Sequence, residues 1–165
     1  MRVADTHEAL AARLGSALRA RGLRVATAES CTGGMVAAAI TAVAGSSEWF
    51  ERGFVTYSNE AKREMLGVPG ELITAHGAVS EAVAAAMAGG AVARSHATCA
   101  LSVTGVAGPG GGTAAKPVGL VCFGWSIAGG APVADTRQFS GDRAAIRAAA
   151  VTVALERLID LVSAR

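Results

Sequence analysis

Ser30 is the residue in this chain whose neighbourhood is best suited to activating a side chain. It lies in Thr27-Ala-Glu-Ser-Cys-Thr-Gly-Gly34, between a short apolar run, Leu23 to Ala28, and an alanine-rich run, Met35 to Val43. That order predicts a strand-to-helix junction, where unpaired backbone N–H groups and the positive end of a helix dipole meet. A serine there has two uses. It can cap the helix, as serine commonly does, or it can attack a substrate while the N–H groups of Cys31, Thr32 or Gly33 hold the oxyanion. The Gly33-Gly34 pair lets the backbone approach a ligand closely.

A serine nucleophile needs a base. Lys62 is the better candidate, because a lysine shielded from water and close to other donors can stay neutral enough to take a proton. Its plainer use is as a solvated helix lysine. Tyr57, the only tyrosine, stands five residues before Lys62 and either positions the serine or substrate or covers core. Of His7, His76 and His96, only His76 sits in a loop able to reach the junction. Ser-x-x-Lys, Gly-x-Ser-x-Gly and Walker patterns are all missing, since Lys116 stands between Ala115 and Pro117.

Gly105-Val-Ala-Gly-Pro-Gly-Gly-Gly112 is the richest loop signal. Consecutive glycines let N–H groups curl around a phosphate, with Lys116 or Arg143 adding charge; the alternative is a mobile surface loop. The spacing does not fit a dinucleotide-binding turn. Glu29 reads as an acceptor behind the serine turn, and Asp142 as a helix cap. Residues 29–34, 57–62 and 104–112 each follow an apolar run, so all three junctions belong at strand carboxyl ends, where open α/β sheets bind ligands.

The elements that must carry these junctions follow from periodicity. A first helix, capped by Asp5 with Glu8 in capping-box position, carries the stripe Leu10, Leu14, Ala17, Leu18 and stops at Gly22. Strands are expected at Leu23 to Ala28, Gly53 to Tyr57, Cys99 to Thr104, Val118 to Ile127 and Val133 to Phe139. Helices are expected after Gly34, after Ser58 or Asn59 as far as Gly67-Val-Pro69, from Ser80 to about Arg94, and after Asp142. A loop is expected around Thr74 to Val79. The pattern predicts a three-layer α/β/α sandwich whose mixed, about five-stranded central sheet ends in an antiparallel hairpin.

At 165 residues the chain suits one domain over 1–165. With 21 glycines and 4% aromatics, the helices should pack tightly on the sheet; Trp49, Phe50 and Phe54 belong in the core or a subunit interface. The net charge of +2, scattered along the chain, argues against a nucleic-acid partner. No apolar run is long enough to span a bilayer and no leader is evident, so a cytoplasmic protein is expected. Cys31, Cys99 and Cys122 are odd in number and far apart, which fits reduced thiols and argues against a metal site. So many alanines make a dimer plausible.

Taken in order, these stretches resemble a known family. The junction at Thr27 to Gly34, Gly45-Ser-Ser-Glu-Trp-Phe50, Gly53-Phe-Val-Thr-Tyr-Ser-Asn-Glu-Ala-Lys62 and His76-Gly-Ala-Val-Ser-Glu81 are followed by Val103-Thr-Gly-Val-Ala-Gly-Pro109, Lys116-Pro-Val-Gly119 and Phe139-Ser-Gly-Asp-Arg143. Together they resemble the CinA C-terminal domain family from about residue 6 to residue 160. Stand-alone members hydrolyse nicotinamide mononucleotide to nicotinate mononucleotide and ammonia in pyridine-nucleotide salvage; others carry an extra domain resembling molybdopterin-binding proteins. The resemblance implies Ser30 as nucleophile, with Lys62 and Tyr57 sharing the helper role, and no cofactor. It implies substrate contacts from Cys31, Thr32, Gly33, Gly34, Thr104, Gly105, Gly108 and Arg143, with the ribose phosphate toward the glycine loop. The loop after Pro109 is more apolar than the acidic versions of relatives. A non-catalytic nucleotide-binding module of the same fold is the competing expectation.

Overall fold

The computed structural model describes residues 2–164. Its elements in chain order are α1 (Val3–Ala20), β1 (Val25–Glu29), α2 (Met35–Thr41), a 3-10 turn (Ser46–Glu48), β2 (Phe50–Val55), α3 (Asn59–Leu66), α4 (Gly70–His76), α5 (Glu81–Ala93), β3 (Cys99–Gly105), β4 (Leu120–Ile127), β5 (Val133–Gln138) and α6 (Arg143–Ser163). The five strands form one sheet in the order β2-β1-β3-β4-β5. Strand β1 runs parallel to both neighbours, while β3, β4 and β5 are joined antiparallel, the last two as the expected hairpin.

Alternation along the strands builds two cores. Val25, Leu101 and Val103 face the layer of α1, α2 and α6, where Leu14, Ile40 and Leu155 meet them. Ala26, Ala28 and Ala100 face the other layer, with Leu66 from α3, Ile73 from α4 and Met87 from α5. The result is the expected three-layer sandwich. Small residues are where layers touch: a Cβ on Gly124 of β4 would lie 2.3 Å from the Ala84 carbonyl of α5, and one on Gly90 of α5 would lie 2.0 Å from the Leu66 carbonyl of α3.

From β1 the chain crosses to β2 through α2 on one face, and from β2 to β3 through α3, α4 and α5 on the other. The two crossovers part at the carboxyl end of β1, a topological switch point. Glu29 and Ser30 sit there, with the ends of β2 and β3 on either side.

Several local expectations are corrected. The first helix starts at Val3 with Arg2 as its cap residue; Asp5 lies inside the first turn, its carboxylate accepting from the Arg2 N–H at 3.3 Å. Strand β2 begins at Phe50 and ends at Val55, because pairing with β1 (Val25 opposite Phe50, Glu29 opposite Val55) recruits the charged pair Glu51-Arg52 on this edge strand and leaves Tyr57 in the following loop. Helix α4 occupies part of a stretch expected to be loop; Ile73 anchors it beneath α5. The other caps fall as read: Ser58, Ser80 and Asp142 each accept from the N–H three residues on, at 3.0, 3.2 and 2.9 Å. Trp49 and Phe54 are buried, and the three cysteines are free and buried. Among the described residues no helix is long and apolar enough to cross a membrane.

Candidate active site

Glu29, the last residue of β1, is buried and turns its carboxylate under the serine turn. It accepts from Thr32 Oγ1 at 2.6 Å and from the N–H groups of Val36 and Ala37 at 2.9 and 3.1 Å. The first turn of α2 is therefore capped from inside by an acid, with Gly34 in the left-handed region (φ 105°) where the chain enters the helix. This corrects the expectation that the helix end faces the ligand: its N–H groups are taken up by Glu29.

Ser30 is tied to β3 by its own N–H, which donates to the Val103 carbonyl at 2.9 Å. The Gly33 N–H donates back to the Ser30 carbonyl at 3.1 Å, so it is engaged within the turn rather than free for an oxyanion. Among the described residues no other residue takes up the N–H of Cys31 or Thr32; the Cys31 N–H meets only its own thiol.

Lys62 meets Ser30 because α3 lies across the ends of β1 and β2. It is only 1% exposed. Its Nζ lies 3.1 Å from Ser30 Oγ, 3.0 Å from the Thr56 carbonyl and 3.3 Å from the Tyr57 carbonyl. Burial pushes its pKa below the ordinary lysine value, opposed by the nearby Cys31 thiol, and among the described residues no carboxylate forms a salt bridge with it. A neutral amine has two N–H donors and one lone pair. Here Nζ donates to all three oxygens while Ser30 Oγ donates to the Tyr57 carbonyl at 3.4 Å; a neutral amine at the same position keeps its two N–H groups on the carbonyls and turns its lone pair to the serine. Burial also pushes the adjacent Cys31 thiol up to about 11, so it stays protonated at neutral pH and is a poor nucleophile beside Ser30.

Tyr57 is placed differently from a helper that touches the serine. Its side chain stands at the rim, 63% exposed, and its phenolic oxygen accepts from Arg143 Nη2 at 3.4 Å. What reaches the serine and lysine is its main-chain carbonyl. Arg143, on the first turn of α6, also donates from Nη1 to the Gly108 carbonyl at 2.8 Å and so joins the glycine loop to the Tyr57 rim. Lys116 donates instead to the His76 carbonyl, and neither residue lines the cavity.

A cavity of about 200 Å³ opens at this point, lined by Ser30, Cys31, Tyr57, Asn59, Lys62, Ala78, Val79, Thr104, Gly105, Ala107 and Arg143. The structure thus gathers seven of the expected residues. Thr32, Gly33, Gly34 and Gly108 shape the turns behind it without lining it. The Thr104 hydroxyl donates to the Ala78 carbonyl at 2.9 Å, which leaves its oxygen lone pairs for a ligand. A larger depression on α3, about 390 Å³ around Glu60, Arg63 and Gly70, is open to solvent and holds no nucleophile beside a base.

The sequence reading missed Asn59, Ala78, Val79 and Ala107 on the walls, and Arg147 behind the turn. Arg147 donates from Nε to the Cys31 carbonyl at 3.0 Å and from Nη2 to the Thr32 carbonyl at 3.3 Å. Its signal was available: it follows Arg143 by four residues and so shares that face of the helix. Ala78, Val79 and Ala107 carry no such signal, being small and apolar like much of the chain, and Asn59 read only as a possible helix cap.

Comparison with known proteins gives a consistent set of relatives. A family model described as the CinA C-terminal domain matches residues 7–162. The nicotinamide-nucleotide amidohydrolase PncC of Escherichia coli (strain K12) is 54% identical over 149 residues, 90% of this chain and 90% of that protein. The protein of that name from Pseudomonas putida is 52% identical over 157 residues, covering 95% of this chain and 98% of the relative. Among solved structures, the competence/damage inducible protein CihA from Agrobacterium tumefaciens superposes with a TM-score of 0.90 at 51% identity, covering 94% of each chain. A CinA superfamily protein from Klebsiella pneumoniae gives a TM-score of 0.92 at 40% identity, covering 96% of this chain and 99% of the other.

Proposed function

This chain belongs to the CinA C-terminal domain family, and we propose that it is a nicotinamide-nucleotide amidohydrolase whose nucleophile is Ser30. The activity is that of its relatives named nicotinamide-nucleotide amidohydrolase, which match along nearly their whole length. The observation that carries the mechanism is the buried Lys62 Nζ at 3.1 Å from Ser30 Oγ, with two carbonyls as its other partners.

In this reading neutral Lys62 takes the Ser30 proton as Oγ attacks the carboxamide carbon of nicotinamide mononucleotide. The N–H of Cys31, a residue of the cavity wall, which no other described residue takes up, receives the oxyanion. Protonated Lys62 then gives its proton to the departing nitrogen, ammonia leaves, and the nicotinoyl group stays on Ser30 as an ester. Water attacks that ester, Lys62 takes its proton, and nicotinate mononucleotide departs as Ser30 recovers its hydrogen. Tyr57 acts at the rim with Arg143. The cavity is smaller than the roughly 300–1,000 Å³ usual for drug-sized ligands, so it takes the pyridine carboxamide while the ribose phosphate lies outward along Thr104, Arg143 and the glycine loop. Residues 1–165 act as one amidase domain, in the cytoplasm and as a homodimer, in pyridine-nucleotide salvage, without nucleic-acid or membrane partners.

The test is incubation of the purified protein with nicotinamide mononucleotide, measuring ammonia and nicotinate mononucleotide. Stoichiometric release by the wild type and loss of both products in Ser30→Ala are expected. Undiminished release by Ser30→Ala would refute the nucleophile. Thermal stabilisation by the nucleotide with no ammonia from the wild type would point instead to a non-catalytic nucleotide-binding module.

A further inference from the structure

Beyond Ser30 and Lys62, two side chains, Glu29 and Arg147, hold the reacting turn without lining the cavity. We infer that Arg147 is a positioning residue of the amidase reaction, its guanidinium holding the Cys31 and Thr32 carbonyls toward α6 and thereby setting the turn that presents Ser30 and the oxyanion donor beside it. This rests on the function proposed above.

Peptide geometry supplies the reasoning. In a trans peptide the C=O and N–H point in opposite directions. With the Cys31 carbonyl drawn to Arg147 Nε at 3.0 Å, the Thr32 N–H points away from Arg147. With the Thr32 carbonyl drawn to Nη2 at 3.3 Å, the Gly33 N–H points the same way. The Gly33 N–H reports what lies there: it meets the Ser30 carbonyl at 3.1 Å. The side of the turn away from Arg147 is therefore the side of the Ser30 main chain, so drawing the two carbonyls to α6 fixes how the turn presents Ser30 and Cys31 to the cavity.

The choice of arginine follows from the same geometry. Nε and Nη2 share one edge of a planar group and reach two successive carbonyls at once, which a lysine ammonium on a flexible stem does not reproduce. Among the described residues no carboxylate forms a salt bridge with Arg147, so its charge is left to the turn. Glu29 holds the other end of the turn through Thr32 Oγ1 and α2. Arg143 and Arg147, one helical turn apart, thus let α6 hold the glycine loop, the Tyr57 rim and the serine turn together.

The experiment compares wild type, Arg147→Ala and Arg147→Lys by kcat and KM for amide hydrolysis, by thermal midpoint, and by the rate at which a fluorophosphonate labels Ser30. That probe forms a Ser30 oxygen–phosphorus bond and expels fluoride, so it reads oxyanion stabilisation whatever the natural substrate. Loss of a set oxyanion donor should lower kcat and the labelling rate about 10- to 100-fold in Arg147→Ala, with KM within about threefold. Arg147→Lys should fall between, and millimolar ethylguanidine should restore part of the loss in Arg147→Ala. A lower thermal midpoint with wild-type kcat and labelling rate would overturn the inference, leaving Arg147 a brace of the fold. Should Arg147→Ala not fold, Arg147→Lys decides, because wild-type kcat and labelling in that variant refute it. A wild type that labels at Ser30 but releases no ammonia would refute the proposed function, and slowed labelling in the variants would still uphold the role of Arg147.

Discussion

Replacing Lys62 by methionine separates the chemistry of its amine from the space it fills. Methionine keeps the unbranched apolar stem but removes the proton acceptor, so amide hydrolysis should fall by about 10²- to 10⁴-fold, the usual contribution of a general base. Stability carries the sharper test. Burial lowers the Lys62 pKa in the folded protein below its ordinary value of 10.5. Between those two values the unfolded chain binds the extra proton, so stability rises with pH through that window and flattens above 10.5. The slope from one such group is at most about 1.4 kcal/mol per pH unit. Cys31, pushed from its ordinary 9.0 up to about 11, acts in the opposite sense in its own window. It is present in both proteins and largely drops out of their difference. Denaturant unfolding of wild type and Lys62→Met from neutral to alkaline pH should show the wild type gaining on the variant as pH rises. A flat difference, or one of opposite slope, would refute a lysine with a lowered pKa and with it the neutral amine on which the mechanism depends.

Two further substitutions test how the site is held. Glu29→Gln keeps the side-chain shape but replaces one acceptor oxygen by a donor, facing N–H groups and a hydroxyl that all donate to the present carboxylate. One buried donor left unsatisfied costs about 1–3 kcal/mol, and kcat should fall with stability; calorimetry and turnover that both match wild type would contradict this. Gly90→Ala would place a Cβ at 2.0 Å from the Leu66 carbonyl, where backbone must move. Overpacking of this kind costs about 1–3 kcal/mol, and because it pushes on α3 it should lower turnover through Lys62 as well as the unfolding midpoint. A stable, fully active variant would show that the contact of α5 with α3 does not set the lysine.

Much of the fold was legible because its signals are local. Ser58, Ser80 and Asp142 begin helices by accepting an N–H three residues on, an interaction encoded within one turn. The strand-to-helix change around Ser30 is likewise a change in local composition. Helix α4 was not legible, since its seven residues lack a side-chain cap and are anchored by Ile73 packing beneath α5. Nor were the limits of β2, which follow from pairing with β1 rather than from its own charged sequence. The outward turn of Tyr57 follows from where that strand stops.

The sequence by itself determined which elements form apart from α4, that small residues let the layers pack tightly, and that Ser30 stands at a strand end with Lys62 as a candidate base. Only the tertiary structure decided that Lys62 is desolvated and aimed at Ser30, that Glu29 rather than a ligand takes the end of α2, and that Arg147 turns the carbonyls beside the serine. The reason is physical. Capping and periodicity depend on neighbours along the chain, whereas burial of a charge and the direction of a hydrogen bond depend on groups brought together across it: 32 residues separate Lys62 from Ser30, and 116 separate Arg147 from Cys31.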